Sequence, residues 1–107
     1  MEKYSINIAS DFSDKPGGRW KSLGSNSGEL FYETILLPKF EQAIACHELL
    51  YIYLDGVKSY PNSFLDQSFG ELGRVKGAQV VCDKIIFKTQ SFNWIVSYIK
   101  DEIWFKK

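Results

Sequence analysis

Residue types that could do chemistry are sparse in this chain of 107 residues, which has one histidine and two cysteines. His47 directly follows Cys46. Neighbours on a helix diverge by about 100°, so the two side chains do not form a catalytic pair by adjacency. At the end of a helix a partly charged imidazole is favourable for stability alone. With one His and the separated Cys46 and Cys82, a zinc site lacks ligands. Asp55 and Asp66 could approach each other across a strand-to-helix loop, as a magnesium site requires, but two carboxylates are too few to establish one. Gly17-Gly18-Arg19 could hold an anion with backbone N–H groups and a guanidinium, although no GxxxxGK[ST] is present. A tight turn followed by a surface arginine explains it as well. No base is placed beside a nucleophile, so a hydrolase is the least supported reading, and no metal or cofactor is expected.

The most informative stretch runs from Asp55 to Leu72. Leu49 to Leu54 is an apolar run suited to a central strand covered on both faces. It would deliver Asp55 to the C-terminal edge of a sheet, where open α/β proteins usually bind ligands and partners. Residues 59–63 read as a loop, and the spacing of Phe64, Leu65, Phe69 and Leu72 predicts a helix over 64–72 with Gly73 as its C-cap. Ser63 has the chemistry of an N-cap, with Asp66 complementing the positive helix end.

The other elements must position that stretch. Residues 4–9 alternate as a half-buried strand. Residues 14–18 form a Pro-Gly-Gly turn, and residues 19–23 could return as a second short strand. A helix capped by Asn26 or Ser27 should follow. It carries Leu30, Phe31, Thr34, Leu37, Phe40, Ala43 and Ile44 on one stripe, with a kink or break at Pro38 because proline cannot donate to the carbonyl at 34. Residues 84–89, entered from 80–82, predict another strand. Ser91 should cap a last helix with Ile95, Tyr98, Ile99, Glu102 and Ile103 facing mostly inward, while Trp94, Trp104 and Phe105 either extend the core or form a patch for a partner. Strands alternating with helices imply an α/β domain, a small sheet with helices packed on it and parallel pairs within it.

Composition bounds the partners. Thirteen Lys and Arg balance thirteen Asp and Glu, and 45% of the residues are hydrophobic. This excludes a polybasic nucleic-acid binder and suits one folded domain. No apolar run approaches a membrane span, the first residues lack a signal-peptide pattern, and two distant cysteines are expected as free, buried thiols. A cytoplasmic domain is therefore expected.

Ser63-Phe64-Leu65-Asp66-Gln67-Ser68-Phe69-Gly70 resembles the S-F-L-D-x-x-F-G signature of bacterial STAS-like domains. Asp55-Gly56-Val57, Pro16-Gly17-Gly18-Arg19 and Ser27-Gly28-Glu29 fit in the same order, so the resemblance covers roughly residues 5–100. It implies a fold like that of anti-sigma-factor antagonists, with helices packed on a small mixed sheet. It also implies a non-enzymatic protein with a partner such as a histidine-kinase-type ATPase, and a Ser or Thr at the start of the helix after the central strand whose phosphorylation releases that partner. Ser63 holds that position, although the seven residues between Asp55 and Ser63 exceed the compact loop of typical antagonists. The interface is then expected at Ser63, Phe64, Asp66 and Gln67, joined by Asp55, Lys58 and Tyr60, with a homodimer permitted. Two rival readings are a nucleotide- or anion-binding protein using Arg19, Gly17, Gly18 and the Ser63 helix end, and a stand-alone inhibitor or effector from a conflict or mobile-element system.

Overall fold

The computed structural model describes residues 3–105. Three strands, β1 (Tyr4–Asn7), β2 (Leu50–Tyr53) and β3 (Ile85–Lys88), form one parallel sheet in the order β1-β2-β3. A single helical turn, α1 (Ile8–Asp11), follows β1, and a long helix α2 spans 28–45. After β2 come α3 over 62–76 and α4 (Ala78–Lys84); after β3 comes α5 over 93–104. The chain is thus mixed α/β, as expected from the alternation of elements. Among the described residues no strand runs antiparallel, so the sheet is parallel rather than mixed.

Register sorts the side chains. Tyr4, Leu50 and Ile85 lie side by side, as do Ile6, Ile52 and Phe87, and residues paired across a sheet share a face. The helices pack on this face. Phe87 meets Phe69 of α3 with ring centroids 5.4 Å apart and Trp104 of α5 at 5.9 Å. Phe31 of α2 contacts both Phe64 and Phe69 of α3. The opposite face, with Ser5, Tyr51 and Ile86 in one row and Asn7, Tyr53 and Lys88 in the next, stays exposed or half-buried. The expectation that β2 is covered on both faces is therefore corrected. Its apolar run reflects two half-buried tyrosines on the outer side, and tyrosine tolerates a wet surface better than leucine.

Several local expectations are also corrected. Strand β1 ends at Asn7 because the Asn7 side chain accepts from the Ser10 N–H and caps α1. Residues 19–23 are no strand: Lys21–Leu23 form one tight turn. Residues 80–82 belong to α4, not to the approach to β3. Helix α3 runs past Gly73 to Lys76 and stops at Gly77, whose φ of 97° favours glycine. Gly73 instead lies against the Trp104 indole, where an added Cβ would stand 2.8 Å from a ring carbon. Ser91 caps nothing, since α5 begins at Asn93 behind Phe92, and Glu102 is exposed. Trp104 is buried and donates from Nε1 to the Phe69 carbonyl at 2.9 Å, whereas Trp94 is 61% exposed.

Pro38 does not break α2. The turn before it, Tyr32–Leu36, is widened so that Leu37 N–H reaches back five residues to the Tyr32 carbonyl. A wider turn carries the residue-34 carbonyl clear of the proline ring. Helix α3 contains a similar turn at Asp66–Gly70, where the buried Ser68 hydroxyl donates to the Phe64 carbonyl at 2.7 Å and competes with the backbone.

Helix α2 ends in a Schellman motif. The N–H of His47 donates to the Ile44 carbonyl and that of Glu48 to the Ala43 carbonyl, with His47 at φ 57°. His47 therefore closes the helix through its backbone, in a conformation that favours glycine. His47→Gly should stabilise the fold by about 0.5–1 kcal/mol, read as a higher urea midpoint at unchanged slope.

Candidate functional site

The site grows from the first turn of α2. Its N–H groups need acceptors from outside the helix, and the Pro-Gly-Gly-Arg segment supplies them. Gly28 N–H donates to the Gly18 carbonyl and Glu29 N–H to the Arg19 carbonyl, both at 3.0 Å, while the buried Ser27 hydroxyl accepts from Leu30 N–H. Gly18 makes the bend with φ 85°, and Gly17 N–H donates to the Asn26 carbonyl. This backbone pairing engages Arg19, and residues 21–23 close into a tight turn outside the sheet. The Glu29 side chain accepts from Lys21 N–H at 2.8 Å.

The same turn lies directly on α3. A Cβ on Gly28 would stand 2.6 Å from the Phe64 carbonyl oxygen and 3.1 Å from Gln67 Cβ. Arg19 then reaches Asp66 and pairs with its Oδ2. Asp66 is held from the other side by Arg74, which donates to its Oδ1 at 3.2 Å and to its main-chain carbonyl at 3.0 Å while also binding Glu71. Partial burial works against ionising Asp66, but the hydrogen bonds and charges of Arg19 and Arg74 prevail and hold its carboxyl below the usual range.

Helix α3 starts one turn before Asp66. Pro61, not Ser63, is the N-cap: its φ of −62° and ψ of 145° lead into the helix, and its carbonyl accepts the first intrahelical bond from Leu65 N–H. Ser63 is already helical, in the first turn, so its hydroxyl does not fold back as a cap. It is half-buried, beside exposed Asn62 and ahead of half-buried Asp66 and Gln67.

The remaining expected residues separate into two groups. Phe64 is fully buried within the aromatic cluster, and Tyr60 is buried with its hydroxyl donating to the Leu54 carbonyl at 2.6 Å. Neither offers its side chain to a partner, because both rings fill the space between the loop and the helices. Burial first, and then the charge of Asp55, raises the Tyr60 phenol far above its ordinary pKa. Asp55 does not face Ser63. It accepts from the Thr89 hydroxyl at 2.6 Å and from the Gln90 and Ser91 N–H groups, tying the end of β2 to the loop after β3. The Thr89 hydroxyl, then the Gln90 N–H, hold its carboxyl below the usual range. Lys58 is exposed, and its N–H donates to the Asp14 carbonyl.

Asp55 and Asp66 are each engaged elsewhere, and no group of three His, Cys, Asp or Glu fit to hold a metal occurs among the described residues. The Arg19 guanidinium is matched by Asp66, and the Gly17 N–H is taken, so the Gly17-Gly18-Arg19 turn is not an open anion cradle. Both cysteines are free, but Cys46 is exposed rather than buried and touches the Tyr4 hydroxyl at 3.0 Å. No helix among the described residues is long and apolar enough to cross a membrane. Sequence reasoning missed Arg74 and Thr89, whose only signal was the arginine eight residues after Asp66 and a threonine closing a strand.

Comparison with protein-family models, with curated proteins and with solved structures finds no match.

Two outcomes follow from this geometry. Gly28→Ala should cost about 1–3 kcal/mol, because the new methyl meets backbone that cannot swing away; urea denaturation reads it. A carboxylate held below its ordinary pKa stabilises the fold above about pH 4 and loses that contribution as the pH falls through the folded-state value. Asp66→Asn and Asp55→Asn should therefore each lower Tm near pH 7 and flatten its fall on acidification from about pH 4 downward, seen by calorimetry across that range.

Proposed function

We propose that this chain is a non-enzymatic regulatory or interaction domain of STAS-like type. It binds a partner protein at the rim where α3 begins, and phosphorylation of Ser63 releases that partner. The partner class implied by the resemblance is a histidine-kinase-type ATPase. One observation supports the reading: three of the four separate segments of the resemblance meet in space, while Asp55 turns to the loop after β3. Gly28 lies on the Phe64 carbonyl, Arg19 pairs with Asp66, and Ser63 stands half-buried on the turn that they brace.

The physics of the switch follows from that turn. A phosphate adds roughly −1.5 to −2 charges and strong acceptor oxygens, and the start of a helix favours negative charge. Asp66, one turn further on, would oppose it, but Arg19 and Arg74 already match that carboxylate. The modified helix would thus stay folded, while a partner seated over Ser63, Gln67 and exposed Lys58 would meet bulk and repulsion. Phe64 and Tyr60 serve from beneath by fixing the turn to the core.

Ser63→Asp should leave Tm almost unchanged, since an acidic residue in the first turn suits the helix. It should weaken binding to a verified ATPase partner at least tenfold by calorimetry. Unchanged affinity would reject the switch. Intact mass spectrometry after incubation with that partner and ATP should show one added phosphate, absent from Ser63→Ala. Binding without any phosphate transfer would favour the stand-alone inhibitor or effector.

A further inference from the structure

An edge strand turns half of its main-chain N–H and C=O groups away from the sheet, and register shows which groups these are on β1. Leu54 N–H donates to the Lys88 carbonyl, so the main-chain groups of Leu50, Ile52 and Leu54 face β3. Those of Tyr51 and Tyr53 then face β1, where the parallel ladder sets them against Tyr4 and Ile6. Ser5 and Asn7 are thereby turned outward. Asn7 bears this out, because its N–H donates to Asp11 Oδ2 at 2.8 Å, and Asp11 belongs to no strand. That contact and the coil into α1 close one end of the edge. Ser5 is exposed, and among the described residues neither its N–H nor its C=O has a hydrogen-bond partner.

The flank of α2 runs beside this edge. Thr34, Ile35, Pro38 and Lys39 line, with Ile6 and Asp11, a groove of about 370 Å³. Asp11 reaches Asn7 N–H from outside the sheet, so the groove opens at the free edge and not between β1 and β2. Ile6, Ile35 and Pro38 make its apolar part, while Asp11 and Lys39 contribute one charge of each sign.

These two features select an occupant. A free N–H and C=O on one extended residue are matched by another extended main chain, as in strand addition at sheet edges. Residues paired across a sheet share a face. An added residue level with Ser5 would therefore point to the outer side, and its neighbours, level with Tyr4 and Ile6, toward the groove. An aliphatic side chain suits Ile6, Ile35 and Pro38 there, and the opposed charges of Asp11 and Lys39 leave no preference for net charge. A stable dimer needs about 800 Å² on each side. Four residues of edge, about 13 Å long, are too short to hold a second copy by themselves.

We propose that the free edge of β1 takes up an extended segment of a partner protein as a fourth strand. Ser5 supplies both of its main-chain groups to that segment, and an aliphatic side chain of the segment enters the groove beside α2. The site shares no residue with the start of α3 and does not rest on Ser63.

The outward N–H of Ser5 gives the test. Proline is tolerated on an edge strand where the N–H faces away from the sheet, so Ser5→Pro should keep the wild-type circular dichroism spectrum while removing the donor. Random dodecapeptides displayed on phage and selected on the full chain should converge on aliphatic residues at alternate positions. Synthetic copies should protect the Ser5 amide from hydrogen exchange and shift the resonances of residues 5, 35 and 39. They should bind Ser5→Pro at least tenfold more weakly, and likewise Thr34→Arg, which fills the groove from an exposed helix position. Ser63→Asp should bind them as wild type does. Thr34→Arg carries the comparison alone should Ser5→Pro not fold. The proposal is overturned by full affinity for either folded variant, by no enrichment over the Thr34→Arg chain, or by shifts that map elsewhere. It is equally overturned by a concentration-dependent dimer in sedimentation that Ser5→Pro dissolves, which would make a second copy the occupant.

Discussion

Helix α2 can cross α3 closely only because residue 28 has no side chain. An added Cβ at Gly28 would fall 2.6 Å from the Phe64 carbonyl, and no rotamer change relieves a collision with backbone. From this contact much of the remaining architecture follows. It brings Phe31 to within ring contact of Phe64 and Phe69, and it carries the Pro-Gly-Gly-Arg loop, which is bonded to the same helical turn, over the second turn of α3. Arg19 reaches Asp66 from there. A hydrophobic contact and an ion pair thus report one constraint, the separation of two helix backbones.

The core that this crossing organises is a chain of rings on one side of the sheet. Phe12, Phe31, Phe64, Phe69, Phe87 and Trp104 each lie against the next or against a common neighbour. Aromatic pairs add modestly to the stabilisation from burial, and their rigidity defines where the helices sit. Polar groups inside this layer are satisfied locally: Ser68 by the Phe64 carbonyl, Tyr60 by the Leu54 carbonyl and Trp104 by the Phe69 carbonyl. No buried side-chain nitrogen or oxygen among the described residues lacks a partner.

At the start of α3 the surface is a helix turn braced from beneath by Phe64 and from the side by Asp66 with its two arginines. The outer sheet face carries two half-buried tyrosines, and Lys88 there shares a depression with the Asp55 carboxylate. Both stand on regular secondary structure.

Much of this was legible in the sequence. The apolar spacing of α2, α3 and α5 and the three strands are local properties, since the period of burial is written into neighbouring residues. The turn at Gly17-Gly18 was legible for the same reason. Tertiary structure decided the rest. A strand at 19–23 had adequate side chains, but the Glu29 N–H took the Arg19 carbonyl and residues 21–23 closed into a tight turn. Ser63 had the chemistry of a cap, yet Pro61 already supplied the entry geometry. Arg19 could have served an anion until the fold set Asp66 beside it. The run Leu50–Tyr53 could be covered on two faces or one, because periodicity within a strand says which side chains share a face and not what lies opposite them. Local backbone preference is encoded residue by residue, whereas a partner for a charge, a carbonyl or a face depends on which distant segment packing brings near.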